Sequence, residues 1–413
     1  MSLRAIIKRS KVGGKVRAPP SKSQAIRLIF YSLLSKVEIE DMPDSEDIKD
    51  AINAVKALGV KMEGRELIPP PSPYVKENYV KFRGSATTLR FFIPIVASIG
   101  GEIVIDADYP LRDRPIKRIV EALSTKGVNF SSHSLPVKLS GKIKDDIVEI
   151  PGDESSQYVS GLIYGMIIKG GGKVVIKPPV SSSSYIKMTT SLLNNFGAKV
   201  DFQGNVISVE REKDMIPFKG KVPGDYALSS FYAISSIITG GKLKITGLDV
   251  PENYFGDHSI VEIFRNMGVT SQWEDNSWNV ESGELRGIKV NVDDAPDLAV
   301  SIATLATAVP SSTVIEGVER LKIKESDRIS TIITTVKAFG GDARYDKGKI
   351  EIIGGNIKEG FISCPSDHRI AMMAGAMATY DGGVVDNACC VNKSNPRFWK
   401  DLSSLGAKVS LVG

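Results

Sequence analysis

A helix–glycine–strand pattern recurs six times along the 413-residue chain. In each copy a segment with the apolar spacing of a helix ends in an apolar residue (once a lysine). A glycine follows directly, and a strand-like segment comes next. The glycines are Gly59, Gly127, Gly197, Gly268, Gly340 and Gly406, spaced by 68, 70, 71, 72 and 66 residues. Glycine is favoured where the residue after a helix needs positive φ. Six such junctions at a near-constant spacing indicate internal duplication.

The repeat length limits the possible folds. About 70 residues leave room for two helices and three or four strands, and helices alternate with strands throughout, so the sequence predicts an α/β (α+β) class. A chain of this length exceeds one ordinary core, so we expect two domains of three repeats each. Connectors at 19–20 and 223–224 predict a first domain of residues 21–223. Residues 224–413, together with 1–20, would form the second.

The bulk composition excludes several classes of protein. With 42% hydrophobic and 24% charged residues, the chain has an ordinary globular composition, and its net charge of +5 is weak evidence for nucleic-acid binding. The three cysteines cannot all pair, and adjacent Cys389 and Cys390 lack metal-ligand spacing, so we expect a reduced, cytoplasmic protein. No signal-peptide core and no run of 18 apolar residues is present, so we expect no membrane association.

Charged residues occur unexpectedly at predicted helix starts. Serine, threonine and aspartate there are ordinary N-caps, and we expect Ser21 and Ser326 to cap helices and Pro296 to be a first helical residue. Cations are different, because they oppose the positive end of the helix dipole. Those cations are Lys22, Arg27, Lys324, Arg328 and Arg369. If these helix starts converge, they predict an electropositive pocket for phosphates or carboxylates.

Two carboxylates and one histidine are candidates for chemistry. Asp297 and Glu325 lie among the cations, where they could cap helices and pair with charges or could act as a general acid and base. His368 is the best placed of the three histidines, while His133 and His258 are expected to be structural or exposed. The usual nucleotide, metal and serine-hydrolase motifs are absent, so we expect no metal and no cofactor.

Seven short motifs occur in a characteristic order over about 370 residues. They are Lys22-Ser23-Gln24-Ala25-Ile26-Arg27, Arg114-Pro115-Ile116, Ser155-Ser156-Gln157, Pro296-Asp297, Lys324 to Arg328, Asp367-His368-Arg369 and Lys393. Together they resemble the 3-phosphoshikimate 1-carboxyvinyltransferase (5-enolpyruvylshikimate-3-phosphate synthase) family. The resemblance implies the enolpyruvyl transferase fold, with two domains of three βαβαββ units, a double crossover between them and an active site in a cleft that closes on ligand.

The resemblance also implies a reaction. The enolpyruvyl group of phosphoenolpyruvate would pass to the 5-hydroxyl of shikimate-3-phosphate through a tetrahedral intermediate, with release of phosphate. This step belongs to the shikimate pathway to chorismate and the aromatic amino acids. We expect a monomer whose partners are these two small molecules, with no nucleic acid and no membrane.

The resemblance also implies site residues, at the positions of this chain that match the family motifs. Shikimate-3-phosphate would bind Lys22, Ser23, Arg27, Ser155, Ser156, Gln157, Ser182, Tyr185, Asp297 and Lys324. Phosphoenolpyruvate would bind Lys22, Ala86, Arg114, Gln157, Arg328, Arg369 and Lys393, with His368 as a further candidate. Asp297 would take the hydroxyl proton and Glu325 would deliver a proton to C3, and Lys22 could share either role.

Two alternatives have recognisable signatures. The related enolpyruvyl transferase that uses UDP-N-acetylglucosamine usually has asparagine after the first lysine and often a loop cysteine in its first half. This chain has Ser23 and no cysteine before Cys364. A non-catalytic anion- or RNA-binding repeat protein would not need Asp297 and Glu325. It would usually carry clustered aromatic residues for base stacking, and aromatic residues are only 7% here.

Ala86 departs from the family pattern and generates a prediction. The family loop commonly reads Asn-[Ala/Ser]-Gly-Thr-x-x-Arg, whereas Gly84 and Ala86 replace its asparagine and glycine here. By resemblance, the added methyl group faces the space that the inhibitor glyphosate fills beyond phosphoenolpyruvate. Overpacking costs about 1–3 kcal/mol, or roughly five- to 150-fold in affinity. We therefore expect a glyphosate-tolerant enzyme that Ala86→Gly makes more sensitive without loss of activity.

Inhibition constants of the parent and Ala86→Gly proteins test this expectation. Equal constants, or tighter inhibition of the parent, would instead indicate that Ala86 only packs its loop, with Gly84 restoring the lost room. Arg320 is a second departure, because some family members carry a ligand-binding asparagine there. No binding role is carried over to it.

Overall fold

The structure is a computed structural model that describes residues 3–210, 214–251 and 256–413. The chain divides into two compact units. Lys22–Val222 form what we call the middle unit, and the residues up to Ser21 together with Pro223–Gly413 form the terminal unit. Each unit has its own hydrophobic core.

Twenty-four strands are present in the described residues. They are β1 (Arg4–Lys8), β2 (Gly14–Arg17), β3 (Val37–Ile39), β4 (Lys61–Glu63), β5 (Glu66–Ile68), β6 (Tyr79–Phe82), β7 (Gly101–Ala107), β8 (Val128–Phe130), β9 (Val137–Gly141), β10 (Ile147–Pro151), β11 (Gly171–Lys177), β12 (Lys199–Gln203), β13 (Val206–Glu210), β14 (Phe218–Gly220), β15 (Lys242–Thr246), β16 (Thr270–Glu274), β17 (Ser277–Glu281), β18 (Lys289–Asn291), β19 (Ser312–Glu316), β20 (Asp342–Asp346), β21 (Lys349–Ile353), β22 (Gly360–Ser363), β23 (Gly383–Asp386) and β24 (Lys408–Val412).

The same residues contain twelve α-helices and four short 3-10 turns. The helices are α1 (Lys22–Tyr31), α2 (Glu46–Ala57), α3 (Ala86–Ile99), α4 (Lys117–Ser124), α5 (Ser156–Lys169), α6 (Ser183–Asn195), α7 (Tyr226–Ile238), α8 (Ile260–Asn266), α9 (Leu298–Ala306), α10 (Arg328–Ala338), α11 (His368–Asp381) and α12 (Phe398–Ser404). The 3-10 turns are Leu111–Asp113, Gly256–Ser259, Glu319–Ile323 and Ala388–Lys393.

Six four-stranded sheets share one topology. The order β6-β7-β9-β8 is typical, with β7 parallel to β6 and antiparallel to β9, and the other five sheets repeat it. Each repeat is therefore a βαβαββ unit, which confirms the predicted fold class. Three sheets take a strand from elsewhere in the chain. In the middle unit β14 pairs in parallel with β3, and in the terminal unit β2 pairs in parallel with β15 while β1 lies between β23 and β24.

The six periodic glycines have the predicted conformation. Their φ angles lie between +88° and +104°, the left-handed region that other residues rarely adopt. Each one follows an even-numbered helix, from Gly59 after α2 to Gly406 after α12. These glycines therefore end the helix and turn the chain into the next strand, as the sequence predicted.

Odd-numbered helices form the inside of each unit. Every residue of α7 and α9 is buried, as are nearly all residues of α3, α5 and α11 and the part of α1 from Ala25 onward. Within the terminal unit α7, α9 and α11 pack on one another, and within the middle unit α3 packs along α5. Because the bodies of these helices are buried, polar side chains that could contact a ligand are expected at the helix starts.

Two glycines allow α5 to lie very close to α3. A Cβ atom added to Gly161 would lie 2.8 Å from the Cα of Phe91, and one added to Gly165 would lie 2.3 Å from the Oγ of Ser98. This packing brings the two helix starts together, where Gln157 Nε2 donates to Thr87 Oγ1 at 2.8 Å. The packing of the core therefore sets the geometry at the helix starts.

Two helix starts differ from the sequence expectation. Asp327, not Ser326, caps α10, because its carboxylate accepts the backbone N–H groups of Ile329 and Ser330 while the Ser326 hydroxyl contacts Asp367. The helix α9 begins after Asp297, so Pro296 lies outside it. The helix α1 does begin directly after Ser21. No helix in the described part of the chain is long and apolar enough to span a bilayer.

The α3–α5 contact yields a stability prediction. Gly161→Ala should destabilise the protein by roughly 1–3 kcal/mol, because the methyl group meets α3 backbone that cannot rotate away. The higher helix propensity of alanine offsets about 1 kcal/mol at most. Urea denaturation would measure the effect, with exposed Lys187→Ala on α6 as a control expected within about 0.5 kcal/mol of the parent. Identical midpoints for all three proteins would contradict the packing argument.

Candidate active site

Arg27 is a buried cation in the middle unit. Its guanidinium donates to Thr189 Oγ1 at 2.7 Å and to the carbonyl oxygens of Ser23 and Tyr185 at 2.7 and 2.9 Å. No carboxylate pairs with it among the described residues, although its residue is only 1% exposed. Burial lowers the pKa of Arg27 to about 10, against a smaller opposing effect of Tyr164 and Tyr185. A buried guanidinium of this kind is suited to an anionic ligand.

The start of α5 carries the predicted serine and glutamine cluster. Ser155 is the N-cap, and its hydroxyl accepts the backbone N–H of Gln157; both Ser155 and Ser156 are buried. The side chain of Gln157 is held between Thr87 and Arg90, because Arg90 Nη1 donates to its Oε1 at 3.0 Å. These contacts fix the orientation of the Gln157 amide.

Arg90 is a candidate site residue to which the sequence analysis assigned no role. It is 4% exposed, and its guanidinium lies over the ring of Tyr158, with 5.4 Å between its Cζ and the ring centroid. Its Nη2 has no hydrogen-bond partner in the part of the chain that the structure describes. An unsatisfied buried N–H is costly, so this atom can donate to a ligand. The loop motif that ends in Arg90 was the signal that could have identified it.

Two buried aspartates of α2 hold the start of α1 and the loop before α3. Lys22 Nζ lies 2.7 Å from Asp47 Oδ2, with the two side chains 14% and 3% exposed. One turn later, Asp50 accepts the backbone N–H groups of residues 83–85. Burial raises the pKa of Asp50, while these hydrogen bonds oppose the shift. The loop is thereby anchored directly before Ala86, the buried first residue of α3.

The remaining predicted residues of the middle unit lie on neighbouring segments. Arg114 follows a 3-10 turn, and the adjacent carbonyl of Pro115 accepts the hydroxyl of Tyr158 on α5 at 3.0 Å. Ser182 is the buried N-cap of α6 with φ of +53°, and Tyr185 lies in the first turn of that helix. The structure thus brings Ser23, Arg27 and Tyr185 together, and separately gathers Ser155 and Gln157 around Arg90.

Arg328 is the centre of the charge cluster in the terminal unit. Its side chain is 1% exposed and donates to three carboxylates, at 2.8 Å to Asp367, 2.8 Å to Asp297 and 2.6 Å to Glu325. Burial alone would lower the pKa of Arg328, but Asp367, Glu325 and Asp297 together raise it well above its ordinary value. Arg328 therefore stays charged and holds both candidate acid–base residues in place.

Asp297 lies among three cations. Its carboxylate is 2.9 Å from Arg369 Nη2, 2.8 Å from Arg328 Nη1 and 3.5 Å from Lys324 Nζ. Burial would raise the pKa of Asp297, but Arg369, Lys324 and Arg328 together hold it well below its usual range. Asp297 is therefore ionised at neutral pH.

Arg369 presents further donors at the start of α11. Its residue is 5% exposed, and its Nε and Nη1 have no hydrogen-bond partner within residues 3–210, 214–251 and 256–413. Asp297, followed by Asp225 and Asp257, raises the pKa of Arg369 against the effect of burial. Arg369 is therefore a permanently charged group with N–H donors to offer an anion.

The other predicted residues have less distinctive surroundings. His368 is buried as the first residue of α11, and Lys393 is half-buried at the end of a 3-10 turn. Arg320 pairs with Asp293 at 3.0 Å, which gives it a local structural partner. His258 is buried, with its ring centroid 4.4 Å from that of Tyr226, and His133 is exposed, as expected. No group of three or more potential ligand residues suited to a metal occurs in the described ranges.

The site residues thus lie within six βαβαββ repeats, with cations and caps at the starts of buried helices. The family model for EPSP synthase (3-phosphoshikimate 1-carboxyvinyltransferase) matches residues 6–402, and the chain belongs to this family.

Several known proteins are similar over the full length of the chain. A 3-phosphoshikimate 1-carboxyvinyltransferase of Saccharolobus islandicus is 49% identical over 407 residues, which cover 97% of this chain and 98% of the relative. The enzyme of that name from Caldivirga maquilingensis is 40% identical over 412 residues, covering 98% and 99%. An EPSP synthase structure from Acinetobacter baumannii matches all of both chains with a TM-score of 0.79 at 22% identity, which shows a shared fold.

The buried carboxylate of Asp367 should be essential for stability. It is 0% exposed and pairs with Arg328, so Asp367→Ala leaves a buried guanidinium without one of its partners and should cost roughly 3–5 kcal/mol. The exposed pair Arg344–Glu351 offers a matched control, and Arg344→Ala should leave the free energy of unfolding nearly unchanged. Urea midpoints would measure both changes. Equal losses in the two variants would show that the Arg328 cluster does not stabilise the fold.

Proposed function

We propose that this protein catalyses transfer of the enolpyruvyl group of phosphoenolpyruvate to the 5-hydroxyl of shikimate-3-phosphate, with release of phosphate. The carrying observation is the family match over residues 6–402. The curated relatives bear the name of this reaction. It belongs to the shikimate pathway to chorismate and the aromatic amino acids.

Shikimate-3-phosphate is proposed to bind mainly through the middle unit. Arg27, buried without a carboxylate partner among the described residues, suits the substrate carboxylate, and Ser23 lies one turn away on the same helix face. The substrate phosphate is assigned to the serine hydroxyls at the starts of α5 and α6. Those serines are Ser155, Ser156 and Ser182, with Gln157, Tyr185, Lys22, Asp297 and Lys324 as further contacts.

Phosphoenolpyruvate is proposed to bind the remaining cations. Arg369 has N–H groups to offer, and Lys393, Arg114 and Lys22 supply further positive charge, with Ala86, Gln157 and His368 as additional contacts. Arg328 differs, because four of its five N–H groups donate to three carboxylates. Direct contact with phosphoenolpyruvate would use the second N–H of Nη1 or displace one carboxylate.

Asp297 is proposed to accept the proton of the 5-hydroxyl. In the structure three cations hold its pKa low, which makes its carboxylate a weak base. Anionic substrates that bind these same cations would partly neutralise them and raise the pKa of Asp297. Substrate binding would thus strengthen the base at the moment when it is needed.

Glu325 is proposed to deliver a proton to C3 of phosphoenolpyruvate. The Glu325 carboxylate lies 2.6 Å from Arg328 Nη2. Another nitrogen of the same guanidinium, Nη1, contacts Asp297. The shared partner keeps the two carboxylates in a defined relation. Lys22 remains a candidate to share either proton transfer.

Further properties are proposed on the same basis. The enzyme acts in the cytoplasm as a monomer on the two small molecules alone. Neither metal nor organic cofactor takes part.

A direct assay tests the proposed function. The protein should release phosphate only when both shikimate-3-phosphate and phosphoenolpyruvate are present, and a metal chelator should leave the rate unchanged. UDP-N-acetylglucosamine should not replace shikimate-3-phosphate as the acceptor. Phosphate release with the UDP-sugar alone as acceptor would assign the protein to the related transferase, and tight binding of single-stranded RNA without turnover would favour the binding-protein alternative.

Variants separate catalysis from binding. Asp297→Ala and Glu325→Gln should each lower turnover by about 10²–10⁴-fold, the usual contribution of proton transfer, while calorimetric affinity for shikimate-3-phosphate changes far less. Arg27→Ala should instead lose most of that affinity. Arg344→Ala, an exposed change in the terminal unit, is the control and should behave as the parent. A loss of binding in proportion to the loss of rate would make Asp297 and Glu325 binding residues only.

A further inference from the structure

Two cysteines that are 26 residues apart in the sequence meet in the terminal unit. The Sγ atoms of Cys364 and Cys390 are 2.7 Å apart, and both point at the carbonyl oxygen of Asp367, at 3.2 and 3.7 Å. Cys364 lies in the connection between β22 and α11, and Cys390 lies in the 3-10 turn Ala388–Lys393. The third cysteine, Cys389, is directed elsewhere, with its Sγ 3.3 Å from Asn387 Oδ1.

We propose that Cys364 and Cys390 are a disulfide-forming site that a small-molecule disulfide oxidises. The two sulfurs already face one another, and a shift of about 0.7 Å would bring them to the length of an S–S bond. The cysteine count alone could not reveal this pair, because three thiols allow three different pairings.

The accessibility of the two thiols sets the order of the chemical steps. Cys390 is half-buried and can meet a reagent, whereas Cys364 is 4% exposed. Cys390 loses its proton and its thiolate attacks the small disulfide, so that a mixed disulfide forms and one small thiolate leaves. Cys364, after losing its proton, then attacks the Cys390 sulfur and expels the second small thiolate. The protein pair is oxidised by two electrons, and the small disulfide is reduced to two thiols.

The surroundings favour a slow reaction that needs alkaline conditions or time. Contact with the Cys364 thiol, followed by burial, raises the pKa of Cys390, so little thiolate is present at neutral pH. A structural crosslink does not require a fast reaction. The site is therefore suited to a lasting bond and not to rapid redox signalling.

The bond would brace the part of the unit that carries proposed substrate-binding residues. It would join the turn before Asp367 and Arg369 to the segment that ends in Lys393. The Asp367 carbonyl would remain satisfied without the thiols, because it also accepts the backbone N–H groups of Ile370 and Ala371. Closing a loop of this length restricts the unfolded chain and stabilises the native state.

The test compares reduced protein with protein incubated with glutathione disulfide at mildly alkaline pH. Alkylation under denaturing conditions should label three cysteines in the reduced sample and only Cys389 in the oxidised one. The intact mass before alkylation should fall by two hydrogen atoms, and peptide mapping should find Cys364 joined to Cys390. The melting temperature should rise by several degrees on oxidation.

Single variants supply the controls. Cys389→Ser should keep both the crosslink and the rise in melting temperature, whereas Cys390→Ser should lose both. Three alkylated cysteines after oxidation, a glutathione adduct that never resolves, or a crosslink that involves Cys389 would each overturn the proposal. The mapping on the parent protein decides the matter even if one variant fails to fold.

Discussion

The burial of the odd-numbered helices is the constraint on which the rest of the structure depends. A helix such as α7 or α9, buried along its whole length, can present polar groups only at its ends. Its first backbone N–H groups lack partners within the helix and must be satisfied by caps, by water or by a ligand. The candidate functional groups of this protein therefore lie at helix starts, and the packing of the cores fixes the positions of those starts.

The two units satisfy their helix starts with different chemistry. In the middle unit the inner helices α3 and α5 have the neutral caps Ser85 and Ser155, which leave the positive end of the helix dipole available to an anion. In the terminal unit the cap positions of α7, α9 and α11 are Asp225, Asp297 and Asp367. Acidic caps compensate the dipole and also create places where cations can be buried.

This difference explains the cations that opposed the helix dipole in the sequence. Arg328 and Arg369 are first-turn residues, which is unfavourable in isolation. Each is paired with a carboxylate at a neighbouring cap position, so the local charge is balanced before any substrate arrives.

The sequence by itself determined the repeat and the fold class, and it proposed most of the candidate site residues. Local chemistry explains this success, because a glycine with positive φ ends a helix wherever it lies, and the family motifs are contiguous in the chain. The sequence prediction was wrong where two neighbouring residues could both cap a helix. At α10 the cap is Asp327, and the Ser326 hydroxyl donates to Asp367 instead. Which of the two residues caps the helix depends on Asp367, which lies 41 residues from Ser326 in the sequence.

Only the tertiary structure decided which of these groups meet. It gave Arg328 three carboxylates from three segments, left one nitrogen of buried Arg90 without a partner among the described residues, and brought Cys364 against Cys390. The spacing of residues in the chain does not fix the distance between side chains on different repeats. That distance is set by how closely the buried helices pack, as the contact of Gly161 with α3 shows.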